Sequence, residues 1–383
     1  MGKRELVIAA AFIVLGFGVY RLTAPPADPA SRGFSIGRIV EELRREIRGQ
    51  NATAETTFTE TREVPDTVTE IRLTFAIGTV AIVGEERDDI VAEMHVRSTG
   101  YDTAEAEKLA RASVLKFDEA GALMIIAGSF PREGRQTPTL KLRIPSRLGV
   151  RMDDKGSPLE ISDVSSVLIG SGRGRTTITR VADSVTVTQR GSVVTISDVG
   201  ALKLSTLSGA EARVSNVRGD STMSIQTGEL VAEGLHGNVE VESRAAELQF
   251  EKLEKSTGTV RVNANMGEVV FVGLRADTRI DGRRTEIRIE HAGGAPLAVY
   301  NDGEMIELTV PPTGFTMDAR ATGGRVSVDE TLTEAGLVSE TSGDDKGEGQ
   351  ASAGDTHVTG AIRGGGPPIT LRATRGDIVL RAR

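Results

Sequence analysis

The sequence predicts an all-β fold whose body is a β-solenoid, a β-helix-like stack of coils of about 18 residues each. Three observations predict it. Two apolar residues three positions apart recur seven times between residues 156 and 274: Ile161/Val164, Ile178/Val181, Ile196/Val199, Val214/Val217, Ala232/Leu235, Phe250/Leu253 and Phe271/Leu274. The second members are separated by 17, 18, 18, 18, 18 and 21 residues. Glycines 156, 174, 191, 209, 228 and 267 precede six of the pairs, and only the coil containing Ala245 lacks one. A glycine at a fixed offset marks a tight corner, because it adopts positive φ without steric cost.

Each coil also carries a second apolar element with period-two alternation, such as Val167/Ile169, Val185/Val187, Leu202/Leu204, Val239/Val241 and Val260/Val262. Alternation in Val-, Ile- and Thr-rich segments suits short strands with one buried face. Residues three apart cannot share a face of one straight strand, so the chain must bend between the members of each pair. The residue at that bend reads Asp163, Arg180, Asp198, Asn216, Gly234, Lys252 and Gly273 down the stack. Asp163, Arg180, Asp198 and Asn216 form the candidate polar surface ladder. Stacked corners need hydrogen bonds and charge neutralisation in any case, so structural and binding roles both stand for it.

Taken from the N-terminus, residues 1–24 read as a membrane signal-anchor. Lys3 and Arg4 precede an uncharged apolar run from Leu6 to Tyr20, and Arg21 can snorkel to extend the span as a single transmembrane helix. A cleaved signal peptide is the rival, but Pro25 and Pro26 sit where cleavage after Ala24 would fall. The basic N-terminus places the body outside the cytoplasm, giving a single-pass protein of the inner (cytoplasmic) membrane with a periplasmic or outward-facing body. Residues 25–52 supply a Pro/Ala/Ser tether and an amphipathic helix with Ile36, Ile39, Val40, Leu43 and Ile47 on one face.

Residues 53–155 form an N-terminal strand-and-helix capping region, α+β in character. Its strands include Ile71/Leu73, Val80/Ile82 and Met94/Val96, and its helix runs over Ala104–Leu115. Such a unit would cover the open end of a stack. The solenoid extends over 156–333, followed by an acidic, disordered loop at 334–356 with little to bury. Residues 357–383 supply closing strands around Ile369/Leu371 and Ile378/Leu380.

Several of these segments together resemble a bacterial family of adhesin-like β-strand-repeat proteins of unknown function, the DUF4097 type. They are Gly78-Thr-Val-Ala-Ile82-Val-Gly84, the Leu142-x-Ile144-Pro145 lead-in, the glycine-punctuated coils and the run from Gly364 through Gly376 to Ile378. The resemblance covers residues 60–383 and implies a β-solenoid on the cell envelope. It brings no catalytic residue with it.

Chemistry finds little purchase in the sequence. The four histidines, His95, His236, His291 and His357, form no H-x-x-x-H or H-E-x-x-H pattern and read as surface or turn residues. Gly170-Ser-Gly-Arg-Gly-Arg-Thr176 lacks the lysine and spacing of a phosphate loop. Asp163, Asp183 and Asp198 are the right type for glycoside chemistry, but Arg180 falls between two of them. Trp is absent, and Phe250 and Phe271 occupy inward positions, so no aromatic platform for sugars is expected. A net charge of −8 argues against nucleic acid. No cofactor, metal or small-molecule substrate is expected, and the chain reads as a non-enzyme. Its function is adhesion or scaffolding toward a protein or surface polymer. The alternative is an envelope signalling or stress-response partner of a membrane complex, and the third reading is a polysaccharide-active enzyme.

Overall fold

In the computed structural model, residues 13, 52–156, 158–253, 258–342 and 355–383 are described. Strand accounts for 69% of the described residues against 5% helix, which places the fold in the all-β class. The N-terminal strands are β1 (Ala52–Glu63), β2 (Glu70–Thr74), β3 (Thr79–Glu85), β4 (Asp89–Gly100), β5 (Val114–Ala120), β6 (Leu123–Ser129), β7 (Arg135–Pro145) and β8 (Gly149–Met152). The middle strands are β9 (Leu159–Ser162), β10 (Ser166–Gly172), β11 (Thr176–Arg190), β12 (Val193–Leu207), β13 (Ala210–Val217), β14 (Ser221–Leu235), β15 (Val239–Glu251), β16 (Thr259–Leu274) and β17 (Asp277–His291). The C-terminal strands are β18 (Leu297–Asp302), β19 (Ile306–Thr309), β20 (Phe315–Thr322), β21 (Val326–Val328), β22 (Val338–Ser342), β23 (Asp355–Ile362), β24 (Pro368–Thr374) and β25 (Ile378–Arg381). Two short helices join them, α1 (Thr103–Arg111) and α2 (Glu330–Glu334).

From β8 to β19 every strand pairs in parallel with its counterpart one repeat away. Val181 lies opposite Val199, Val199 opposite Val217, and Val217 opposite Leu235. The first members align as well: Ile161, Ile178, Ile196, Val214, Ala232, Phe250, Phe271, Ile289 and Leu308 form one continuous column. All of these residues are buried. Neighbouring strands stand about 4.8 Å apart, and each buried Val, Leu or Ile contributes roughly 1.5–3 kcal/mol. Phe250 and Phe271 stack in adjacent rungs of this interior, with ring centroids 4.7 Å apart and planes at 14°.

Corners also turn backbone carbonyls toward the core, where they need donors. Gln189, fully buried, donates its amide to the carbonyls of Gly174 and Gly191 at 2.8 and 3.0 Å, tying two successive corners together. Asn301 does the same near the other end, donating to the carbonyls of Thr285 and Glu304 at 2.7 and 2.9 Å.

Pairing continues across residue 155 without a break. β2 pairs in parallel with β8, and β3 with β9, so the strand-and-helix region shares the rungs of the repeats that follow. Among the described residues antiparallel pairs appear only beyond those rungs: β1–β4, β4–β7 and β5–β6 at one end, β20–β23 and β22–β23 at the other. The expected helix is α1, but it is shorter than the pattern over 104–115. Asp102 caps its start by accepting from the Glu105 amide at 2.8 Å, and the Ser113 hydroxyl bonds back to the Leu109 carbonyl. Val114 and Leu115 then open β5, as β-branching and pairing with β6 favour.

The last strands do not lie at the end of the sheet. β24 pairs with β18 on one side and β20 on the other, and β25 lies between β19 and β21. Residues 368–381 are thus interleaved, and the β20–β23–β22 sheet lies outside them. Among the described residues no helix is long and apolar enough to cross a membrane. Apart from Ile13, the expected anchor at 1–24 lies outside the described residues, as do the amphipathic segment at 36–48 and most of the acidic loop.

Candidate functional site: the polar ladder at the coil bends

A single backbone device explains why apolar residues three apart both point inward. Every residue at the bend takes positive φ: Asp163 (61°), Arg180 (52°), Asp198 (58°), Asn216 (55°), Gly234 (62°), Lys252 (55°) and Gly273 (74°). One left-handed residue in an extended run turns the strand and reverses the phase of its alternation, so Ile196 and Val199 share the core. Asp, Asn and Gly tolerate this conformation best. Arg180 and Lys252 are the costly occupants, and each is held by an acidic side chain from the preceding coil.

Arg180 grips Asp163 as a fork, with Nε to Oδ1 at 2.6 Å and Nη2 to Oδ2 at 2.7 Å. The guanidinium holds the Asp163 carboxyl below the usual carboxylate range, and the carboxylate raises the Arg180 pKa in return. Lys252 Nζ reaches Glu233 at 2.6 Å. Asn216 donates to Asp198 Oδ1 at 3.1 Å, so the four ladder residues divide into two bonded pairs. An exposed pair of this kind contributes little to stability.

A shallow groove of about 630 Å³ follows the ladder, lined by Asp163, Arg180, Asp198 and Asn216 together with Arg218 and His236. Sequence reasoning missed the last two. Both stand one residue past the second apolar position, and that column is in register, since the amides of Ala182, Arg218 and His236 donate to the carbonyls of Val164, Val199 and Val217. Arg218 also reaches across a full coil to the carbonyls of Val181 and Ala182, at 3.2 and 3.0 Å. Asp183 stands apart from the ladder, bonded to the Ser165 hydroxyl at 2.9 Å.

A second column was also missed. Glu211, Glu229, Glu247, Glu268 and Glu286 are mutual register partners on five consecutive strands. Like charges directly opposite are unfavourable. Arg213 offsets Glu211, and Arg288 bridges Glu268 and Glu286. The signal was readable, as the first four glutamates each follow a corner Gly or Ala, while Glu286 follows Thr285.

The histidines part company. His95 bonds to Thr57 Oγ1 at 3.1 Å, and His357 to Asp318 at 2.8 Å, both at the surface. His291 does not fit the expectation of a surface residue, being 1% exposed. β17 has no left-handed residue at its bend after Ile289, so His291 sits two positions after Ile289 and lands opposite Leu274. Its Nδ1 accepts from the Gly293 amide at 3.1 Å, and burial pushes its pKa down to about 4. Because the folded pKa lies below the ordinary 6.5, its stabilising balance is complete above pH 6.5 and is lost as pH falls toward 4. The expected loss is about 2 kcal/mol by pH 5, read as a urea midpoint shift that His291→Leu abolishes.

Among the described residues, no group of three or more His, Asp or Glu side chains is placed to hold a metal ion. Lys155 is buried, donating to the Gly78 carbonyl at 2.6 Å with its pKa pushed down to about 8 by desolvation. It is buried against Phe75 rather than facing a cleft.

No family model matches the chain, and no curated protein matches it. Among solved structures it is similar to a candidate cell-adhesion protein of Clostridium sporogenes, at 9% identity and a TM-score of 0.18, covering 86% of this chain and all of that one. It is also similar to candidate adhesins of Parabacteroides distasonis and Parabacteroides merdae. These are 10% and 9% identical, with TM-scores of 0.31 and 0.30, each match covering 66% of this chain and 95% of the other. Likenesses this distant carry no argument about function, which rests on the residues themselves.

The ladder makes one prediction. Asp198→Ala removes an exposed hydrogen bond but forces alanine into left-handed backbone, at a cost of about 1 kcal/mol. Asp198→Gly relieves that strain and is expected to melt within about 2 °C of the parent chain in circular dichroism.

Proposed function

We propose that the body is a β-solenoid rod, held at the cytoplasmic membrane by residues 1–24, that presents fixed columns of polar side chains to a protein or surface polymer outside the cytoplasm. Its role is adhesion or scaffolding, without catalysis. The supporting observation is register: Val181, Val199, Val217 and Leu235 are successive strand partners, and the bend residues outside them repeat at the same interval. A surface built this way offers the same contact geometry every coil and needs no moving part. The groove along Asp163, Arg180, Asp198 and Asn216 is the contact surface we assign to the partner, because Arg218 and His236 widen its polar lining at the same rungs.

Chemical cross-linking in native membranes, followed by purification of the full chain, tests this reading. Envelope polymer or a surface protein should be recovered, and Arg180→Glu with Arg218→Glu should reduce that recovery. Recovery of one discrete membrane signalling complex, unchanged in the double variant, would overturn it. So would turnover of a polysaccharide by the purified chain.

A further inference from the structure

We propose that two copies of this chain join through β1, as a two-fold antiparallel β1–β1 pair centred on Phe58. Among the described residues β1 pairs only with β4, so its other edge carries a row of unpaired amides and carbonyls. That edge is long and regular. Its register with β4 runs unbroken from Ala52 opposite Gly100 to Glu63 opposite Asp89, with no bulge, proline or glycine in its twelve residues. Proteins ordinarily defend a free edge by shortening or kinking it, and the opposite end of the sheet shows that defence. There the terminal strands are β21, with three residues, and β22, with five. β5, which among the described residues pairs only with β6, is a second free edge near β1 but has seven residues against twelve. A two-fold contact through β1 alone closes on itself rather than growing into a filament.

The sequence of β1 selects the second copy as the occupant. A two-fold axis perpendicular to the sheet keeps inner and outer faces matched, so only residues of like parity can oppose one another. With Phe58 on the axis, Thr57 faces Thr59, Thr56 faces Glu60, Glu55 faces Thr61, Ala54 faces Arg62 and Thr53 faces Glu63. Every charge then meets an uncharged residue, and two half-buried aromatic rings meet at the centre. Shifting the register by two residues in one direction sets Glu55 against Glu63, and the opposite shift separates the rings. The pairing extends each sheet across the axis and satisfies both free edges with main-chain hydrogen bonds.

The full chain in detergent provides the test, and its lack of cysteine makes single-cysteine cross-linking clean. The parent chain should sediment as a dimer at about 50 μM. Thr57→Cys chains mixed with Thr59→Cys chains should form the mixed disulfide at least about tenfold faster than Thr53→Cys chains couple to one another. Thr57 and Thr59 are exposed, so Thr57→Lys combined with Thr59→Lys should keep a cooperative melting transition while giving a monomer. A monomeric parent chain, as expected if residues 1–51 or a strand of another protein occupy the edge, overturns the proposal. A dimer that survives the double lysine variant overturns it as well, as does equal coupling from Thr53→Cys.

Discussion

Val199→Asp is expected to abolish cooperative folding of the repeats. Val199 is fully buried between Val181 and Val217, its register partners in the strands on either side. A carboxylate there would lose its hydration to a column of aliphatic side chains with no donor to replace it. Keeping it neutral requires a large pKa rise, and keeping it charged costs more. The expected loss exceeds about 5 kcal/mol, comparable with the whole stability of an ordinary domain. Thermal circular dichroism and limited proteolysis read the result directly. A Val199→Asp chain that melts within a few degrees of its parent would show that these residues do not form a continuous interior. Asp198, its immediate neighbour, supplies the contrast, since its side chain lies outside the bend and its alteration mainly perturbs one backbone angle.

That contrast also marks how far the sequence could be read. The paired apolar positions were legible because each coil buries them at one place, and repetition separates a period from chance. The identity of the bend residues carried its own physical signal. Asp163, Asp198, Asn216, Gly234 and Gly273 are the residue types that accept left-handed backbone most cheaply, whereas Arg180 and Lys252 obscure the pattern until their partners Asp163 and Glu233 are seen. Position within the sheet was much less legible. Ile369/Leu371 and Ile378/Leu380 alternate like any closing strands, yet they fill rungs between β18/β19 and β20/β21. Alternation reports which face of a strand is buried and says nothing about which strand lies beside it. His291 was misread for a related reason. Its burial follows from one missing bend residue in β17, which changes the phase of the chain without changing its composition.

The groove was half-visible for the same cause. Asp163, Arg180, Asp198 and Asn216 stand at the repeated bend and were found by reading down a column, while Arg218 and His236 lie in the adjacent column where earlier coils carry Ser165, Ala182 and Gly200. Small residues at the first rungs leave room, and larger ones later line it. A repeat whose occupant changes size along the stack has no signature at the level of a single coil, so the groove emerges only once register is known.

Corners should be as sensitive as the core, and Gly228→Val tests this with the second-largest expected effect. Gly228 has φ of 114°, and a Cβ placed on it would lie 2.1 Å from the Ala210 carbonyl oxygen of the preceding coil. Neither backbone can retreat, because both belong to paired strands. Strained φ and the forced contact together predict a loss on the order of 3–5 kcal/mol, seen as a fall in the urea midpoint. Ala246 occupies the next rung of the same column, opposite Gly228 on one side and Gly267 on the other, without positive φ. This is the coil whose missing glycine interrupts the sequence pattern. Ala246→Gly should therefore cost no more than about 1 kcal/mol, from added freedom in the unfolded chain. If corner glycines were conserved in spacing for turn propensity alone, Gly228→Val and Ala246→Gly would shift stability by similar amounts. A large asymmetry instead assigns the cost to the close approach of neighbouring parallel strands, the same contact that fixes the spacing of every column on the surface.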